Sequence, residues 1–377
     1  MFNHGLRSLL LLPSALRLAY AQSSDSSSAA CNNSPDLCDR AYNSITHLGA
    51  HNSPFVRNAA NNYDLSGNQY FNSSTQLSAG VRLLTGQVHT NDDSGELHVC
   101  HSSCSLFDAG RLSDWLSEVN DWLANNPNDV VTVLLVNGAG ASASELDAEY
   151  QSAGIGDIAY TPTSSSSSAA SATASGSTAT TSSSPSDWPT LQSLINSGTR
   201  MINFVATLDN NSGAPYLMNE FDYIFENDYD NTSPSDFSCE PDRPSSVSSA
   251  QQAINQGMMP LMNHFLYAEV SAFDIQYPNE TYITTTNSPN GGAGNLGTAA
   301  SECSNQYGQA PTFVLVDFFN VGPAIDTVDR LNGVSSPVGR ATVSDEVMGS
   351  GTSGAVTTVL KTGMLWFTVL AVLVGFA

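Results

Sequence analysis

Apolar residues along this chain come in short β-rich runs, and several of the intervals between them carry a helical repeat. The runs predict strands near 44–51, Val81–His89, 96–101, Val130–Val136, Met201–Thr207, Tyr223–Glu226, Leu261–Tyr267 and Thr312–Phe318. Val130–Val136 consists only of β-branched residues and leucine, as in a parallel strand covered on both faces. Trp115, Leu116, Val119, Trp122 and Leu123 share one face of a predicted helix. Further helices are predicted over Trp188–Asn196, Ser248–Asn255 and Ala324–Leu331. This alternation predicts an α/β fold, a single-domain (β/α)8 barrel of the TIM type. No helix is predicted between the second and third strands, so the barrel is expected to be irregular.

Three segments break the pattern. Arg7 precedes the apolar run Leu9–Leu12, and Ala19-Tyr20-Ala21 follows as a small-residue cleavage site. Residues 1–21 therefore read as a secretory signal peptide. Residues 161–187 are almost wholly Ser, Thr, Ala, Gly and Pro, and read as a disordered, O-glycosylated insert within one domain over 22–350. Residues 351–377 end in the apolar run Met364–Ala377, after the small-residue cluster Ser350-Gly351-Thr352-Ser353-Gly354 and a polar spacer. That order is the signal for a GPI anchor. The alternative is a single membrane helix from about Ala355. The shortness of the run and the missing basic flank favour the anchor. The chain is thus expected to be secreted, and held at the cell surface or in the wall by its C-terminal end.

The 377 residues carry a formal charge of −24, and Lys361 is the one lysine. Electrostatics argue against nucleic acid or an anionic bilayer as the main partner. No cofactor is expected, and a monomer is. Six cysteines on a secretory route suggest three disulfides. Several connectivities are open. Proximity favours Cys31–Cys38 and Cys100–Cys104, which leaves Cys239–Cys303. Zinc at His98-x-Cys100-His101-x-x-Cys104 is the rival reading. Sequons at Asn32, Asn72, Asn210, Asn231 and Asn279 are expected to lie in surface loops and to carry glycans.

Chemistry concentrates at the strand ends. Ser44–Ser53 reads as a strand ending in His51 and Asn52, with Gly49-Ala50 before them to let backbone and substrate come close. Glu96–Ser102 is a second strand ending in a histidine, His101. Asp317 ends the last strand, which in a closed barrel lies beside the first. The active site of such a barrel sits at this end, where Asp317 could orient the His51 ring. His47 and His51 are four apart as in zinc helices, but on a strand they stand about 13 Å apart, too far to share a metal. Glu226 and His264 are candidates to line the mouth.

Gly49-Ala50-His51-Asn52-Ser53, Gly80-Val81-Arg82-Leu83-Leu84 and Leu97-His98-Val99-Cys100-His101 together resemble the X-domain barrel of phosphatidylinositol-specific phospholipase C. They are closer still to the secreted PLC-like phosphodiesterases of fungi. The resemblance covers about Cys38 to Gly333. It implies that His51 is a general base and His101 a general acid. The base would activate an inositol hydroxyl against phosphorus, and the acid would protonate the leaving alcohol. A cyclic phosphate would result.

The sequence departs from the pattern where phosphate charge is neutralised. The family places acidic calcium ligands or an arginine on the second strand, where this chain has neutral Thr85 and Gln87. No metal site is expected. Arg82 has the opposite parity and should face the helices. Asn52, Gln87 and His89 are the candidate phosphate-binding residues, with protonated His89 as the substitute cation or, alternatively, a rim histidine. Two functions follow. One is an extracellular, metal-independent phosphodiesterase acting on an inositol phospholipid or GPI-like lipid. The other is a decayed barrel that binds a glycolipid or cell-wall glycan.

Overall fold

The computed structural model describes residues 30–162, 188–270 and 275–349 besides Met1. The predicted leader, nearly all of the predicted insert and the C-terminal anchor signal lie outside the described residues. Among the described residues, no helix is long and apolar enough to cross a membrane.

Among those residues, twelve strands form: β1 His47–Ala50, β2 Leu83–Thr90, β3 Leu97–Cys100, β4 Asp108–Arg111, β5 Val131–Asn137, β6 Met201–Ala206, β7 Leu217–Asn219, β8 Ile224–Glu226, β9 Met259–Asn263, β10 Tyr267–Val270, β11 Ile275–Pro278 and β12 Phe313–Val316. Eight of them run parallel in the order β7-β6-β5-β2-β1-β12-β9-β8. Among the described residues no ladder joins β7 to β8. The chain spans that gap itself, leaving β7 and entering β8 through the single turn Glu220–Asp222. The result is a curled α/β sheet with the predicted barrel architecture.

Strand alternation sorts the side chains into two layers. Leu83, Leu134, Ile202, Phe204, Met218, Ile224, Leu261, Phe313 and Leu315 pack together inside the sheet. Leu48, Leu84, Val133, Val205, Phe225, Met262 and Val314 pack outward. Helix α2, Leu112–Asn125 (α1 is the short Ser73–Ser78), presents Leu112, Trp115, Leu116, Val119 and Leu123 to that outer layer. These positions recur every three or four residues, so one face of the helix is apolar. Arg82 points outward as parity requires, pairing with Asp129 at 2.6 Å and lying 5.2 Å from the Trp122 ring centre.

The predicted third strand needs correction. It is β3, which pairs antiparallel with the end of β2, Val88 opposite Val99, and with β4. It is a hairpin inserted before α2 and not a stave of the barrel. Only residues 91–96 separate β2 from β3, too few for a parallel crossover. The turn Asn91-Asp92-Asp93-Ser94-Gly95 carried that information. The missing stave is β7, three residues long and without its own sequence pattern. The predicted seventh strand ends early, at Asn263. Tyr267 starts a separate ribbon with β11.

All three cysteine pairs form as proximity suggested, Cys31–Cys38, Cys100–Cys104 and Cys239–Cys303. The zinc reading loses Cys100 and Cys104 to a disulfide. Two sequons do not fit surface loops. Asn32 is 5% exposed and its Oδ1 accepts the Val130 N–H, while Asn231 is 1% exposed. A buried asparagine that supplies internal hydrogen bonds cannot also carry a glycan. Asn72 and Asn210 are exposed and Asn279 is half-buried.

Candidate active site

The end of β1 carries His51, the expected base. Gly49 faces inward, where an added Cβ would lie 2.8 Å from Leu315 and 2.9 Å from Leu83. Its smallness therefore serves the barrel core and not substrate access, as the sequence had suggested. Two residues on, His51 faces the same way at the mouth. Its Nδ1 donates to Asp317 Oδ1 at 2.9 Å, because a carboxylate only accepts. Asn68 Nδ2 donates to the same oxygen at 2.9 Å. Phe265 lies flat on the His51 ring, with centroids 3.9 Å apart and planes 6° from parallel. The ring is locked, with Nε2 on the side away from Asp317.

His101 is fixed from the other side. Its Nδ1 donates to the Ser66 carbonyl at 2.7 Å, and Phe55 stacks on the ring at 5.0 Å. Its Nε2 meets Asn52 Nδ2 at 3.3 Å. Asn52 Oδ1 accepts from Gln87 Nε2 at 3.3 Å, and Gln87 Oε1 accepts the Ser102 N–H at 2.9 Å. Burial, and then the nearby charge of His51, lower the His101 pKa to about 4. The free protein thus holds His101 neutral near pH 7.

The residues after the three predicted catalytic groups share an uncommon backbone. Asn52, Ser102 and Phe318 have φ of 49°, 60° and 42°. Left-handed backbone costs a bulky L-residue on the order of 1 kcal/mol or more. The turns are held by side chains: Thr85 Oγ1 accepts the Asn52 N–H at 2.8 Å, and Gln69 Oε1 accepts the Phe319 N–H at 3.2 Å. Thr85 therefore shapes the turn and has no spare donor set for a metal. Gln87 and Asn52 are occupied with each other. A calcium site needs several oxygens, most of them charged, and these residues do not fit one.

A family profile described as PI-PLC X 1 matches residues 37–332. A curated "PI-PLC X domain-containing protein 1" of Arthroderma benhamiae is 36% identical over 305 residues, covering 81% of this chain and 90% of the relative. The chain belongs to the PI-PLC X family. An "Uncharacterized secreted protein" of the same fungus is 34% identical over 334 residues, covering 88% of this chain and 68% of the relative. Among solved structures, a pentafluoro-Phe-containing phosphatidylinositol-specific phospholipase C from Staphylococcus aureus superposes with a TM-score of 0.50. That match covers 78% of this chain and 94% of the other at 12% identity, so it shows the fold.

In this PI-PLC X barrel the other predicted residues fall in different places. His89 ring atoms lie 2.5–3.0 Å from where a Cβ on Gly138 would stand, so that glycine makes room for the ring. Burial lowers the His89 pKa, which opposes the cationic form that the phosphate role requires. His264 faces the outer layer. It is fully buried, its Nε2 donates to the Thr286 and Gly294 carbonyls, and it borders a cavity of about 360 Å³ whose walls include neither His51 nor His101. His98 is paired with Asp108 at 2.9 Å, and the nearby Cys100 has no thiolate to offer a metal.

Glu226 closes β8 with the inward parity of Ile224. It forms an ion pair with Arg243 and accepts from Asn263 Nδ2 at 3.3 Å. Burial and the neighbouring Glu226 raise the Glu220 pKa well above its ordinary value. The Arg243 guanidinium lies 4.4 Å over the Tyr229 ring. Tyr267 lies near both sides of the site. Burial raises its pKa, Asp317 adds to the rise and Arg243 opposes it. Asn68, Phe265 and Arg243 escaped the sequence reading. Arg243 left one signal, its scarcity: it is one of 11 basic residues in the whole chain.

Proposed function

We propose that this chain is an extracellular PLC-type phosphodiesterase that cleaves an inositol-containing phospholipid or GPI-like lipid by two-histidine acid/base catalysis. The observation that carries it is the pairing of His51, oriented by Asp317, with His101, linked through Asn52 at the same barrel mouth. The His51 Nε2 lone pair takes the proton from the attacking hydroxyl as its oxygen bonds to phosphorus. His101, protonated at Nε2 when the phosphate anion lies beside it, gives that proton to the departing alkoxide. The products are a cyclic phosphate and an alcohol. Asp317 holds the His51 tautomer and offsets the charge that His51 acquires. Arg243, Glu226 and Asn263 supply donors and acceptors for the hydroxyls of the head group.

The test is turnover of phosphatidylinositol vesicles by the purified ectodomain, read by phosphorus NMR. Activity that survives chelation of divalent ions and is lost in His51→Ala and His101→Ala supports the reading. Calcium-dependent turnover contradicts it. A second reading, a barrel that binds a glycolipid or glycan without cleaving it, is favoured by the neutral pair Thr85 and Gln87. Saturable binding with no turnover of any phosphodiester would establish it. Secretion is supported by the secreted relative. Surface anchoring rests on the residues after 350 and predicts release from membranes by a GPI-cleaving enzyme.

A further inference from the structure

The hydrogen bonds around His101 have a direction that two backbone groups impose. At one end the Ser66 carbonyl can only accept, so His101 Nδ1 carries a hydrogen. At the other end the Ser102 N–H can only donate, so Gln87 must turn its Oε1 toward it. Gln87 then presents its Nε2 to Asn52 Oδ1. Asn52 is left to present its Nδ2 to His101 Nε2. An N–H aimed at Nε2 is compatible only with a lone pair there. Ser102 is held in place by its left-handed backbone and by the Cys100–Cys104 disulfide, which closes a ring around residues 100–104.

We propose that Gln87 is a positioning residue that, through Asn52, directs an N–H at the Nε2 lone pair of His101 and so disfavours protonation there until an anionic group enters and takes the place of the Asn52 amide. The catalytic consequence rests on the reading of His101 as the acid; the protonation effect does not. The groups whose charge reaches the ring are His51 from the end of β1, Asp317 from the end of β12 and Asp64 from the 58–67 loop. None of them changes when residue 87 is replaced.

Gln87→Leu separates the relay from simple electrostatics. An apolar side chain next to the ring would, by desolvation alone, lower the His101 midpoint further. Loss of the relay acts oppositely. Asn52 is then free to turn its Oδ1 to Nε2–H, and the midpoint rises, by about one pH unit. Gln87→Met provides a second apolar variant of closer shape, and Gln87→Glu, which accepts from both Ser102 and Asn52, should raise the midpoint most. Titration of the His101 ring by nitrogen-15 NMR in the substrate-free ectodomain reads this directly. A rise in both apolar variants supports the proposal, and an unchanged or lowered midpoint in either folded variant overturns it. If the protein turns over substrate, the basic limb of the rate profile should move up in pH with the same midpoint. If no phosphodiester is cleaved, the enzyme reading fails while the NMR titration still decides the relay.

Discussion

Replacing Asp317 by asparagine tests the catalytic reading most sharply, because it changes one charge and almost no volume. Asp317 is 1% exposed, and its Oδ1 accepts from both His51 Nδ1 and Asn68 Nδ2. In the Asp317→Asn variant the amide oxygen can keep both bonds, and the amide nitrogen falls at the Oδ2 position, which is buried and has no hydrogen-bond partner among the described residues. One unsatisfied buried donor costs about 1–3 kcal/mol, so the barrel should still fold. The catalytic loss is larger. When His51 takes up the substrate proton, it gains a positive charge about 4 Å from the carboxylate. At an effective dielectric near 20 that attraction is worth about 4 kcal/mol. Its removal should slow the cyclising step about a thousand-fold. The assay is steady-state cleavage of phosphatidylinositol vesicles, with circular dichroism to confirm the fold. KM should change little, since the carboxylate meets His51 and not the substrate. Turnover in Asp317→Asn within a few-fold of wild type would refute the assignment of His51 as a base supported by Asp317.

Three further outcomes are expected. Arg243→Met should raise KM roughly ten-fold and cost about 3 kcal/mol of stability, because buried Glu226 loses its cation; adding Glu226→Gln should restore most of the stability in urea unfolding, and no recovery would argue against the pair. The Cys100→Ser/Cys104→Ser double variant should lose roughly 2 kcal/mol by the chain-entropy estimate and should lose more turnover than Cys239→Ser/Cys303→Ser, since only the first ring contains His101. Acid should destabilise the fold through His47, His101 and His264, each held mainly by burial at about 4 against an ordinary value of 6.5. With the folded values below the unfolded one, the unfolded chain binds more protons between those limits. Stability is therefore full above 6.5 and declines as pH falls toward 4, by up to about 3 kcal/mol per histidine. Equal unfolding free energies at pH 7 and pH 4.5 would contradict this.

The sequence by itself determined the barrel, because runs such as Val130–Val136 and the α2 stripe bury their faces in only one kind of layered sheet. It also favoured the cysteine pairing that forms, and it placed His51 and Asp317 at the ends of neighbouring strands; His101 was read as ending a barrel strand, whereas it follows the inserted hairpin strand β3. Tertiary structure decided what depends on contacts distant along the chain. β7 is three residues with no period of its own, and it exists as a strand because β6 offers it an edge. β3 has a strand's pattern, but its six-residue connection makes it a hairpin. Asn32 and Asn231 match a glycosylation motif, yet folding buries them. His89 has the right strand parity for the site, but packs on Gly138 in a setting that disfavours its charge. Asn68, 249 residues from Asp317, is brought to that carboxylate by a loop with no periodicity to read. Periodicity records which face of an element is buried. It does not record which loop crosses the mouth or which way an amide turns.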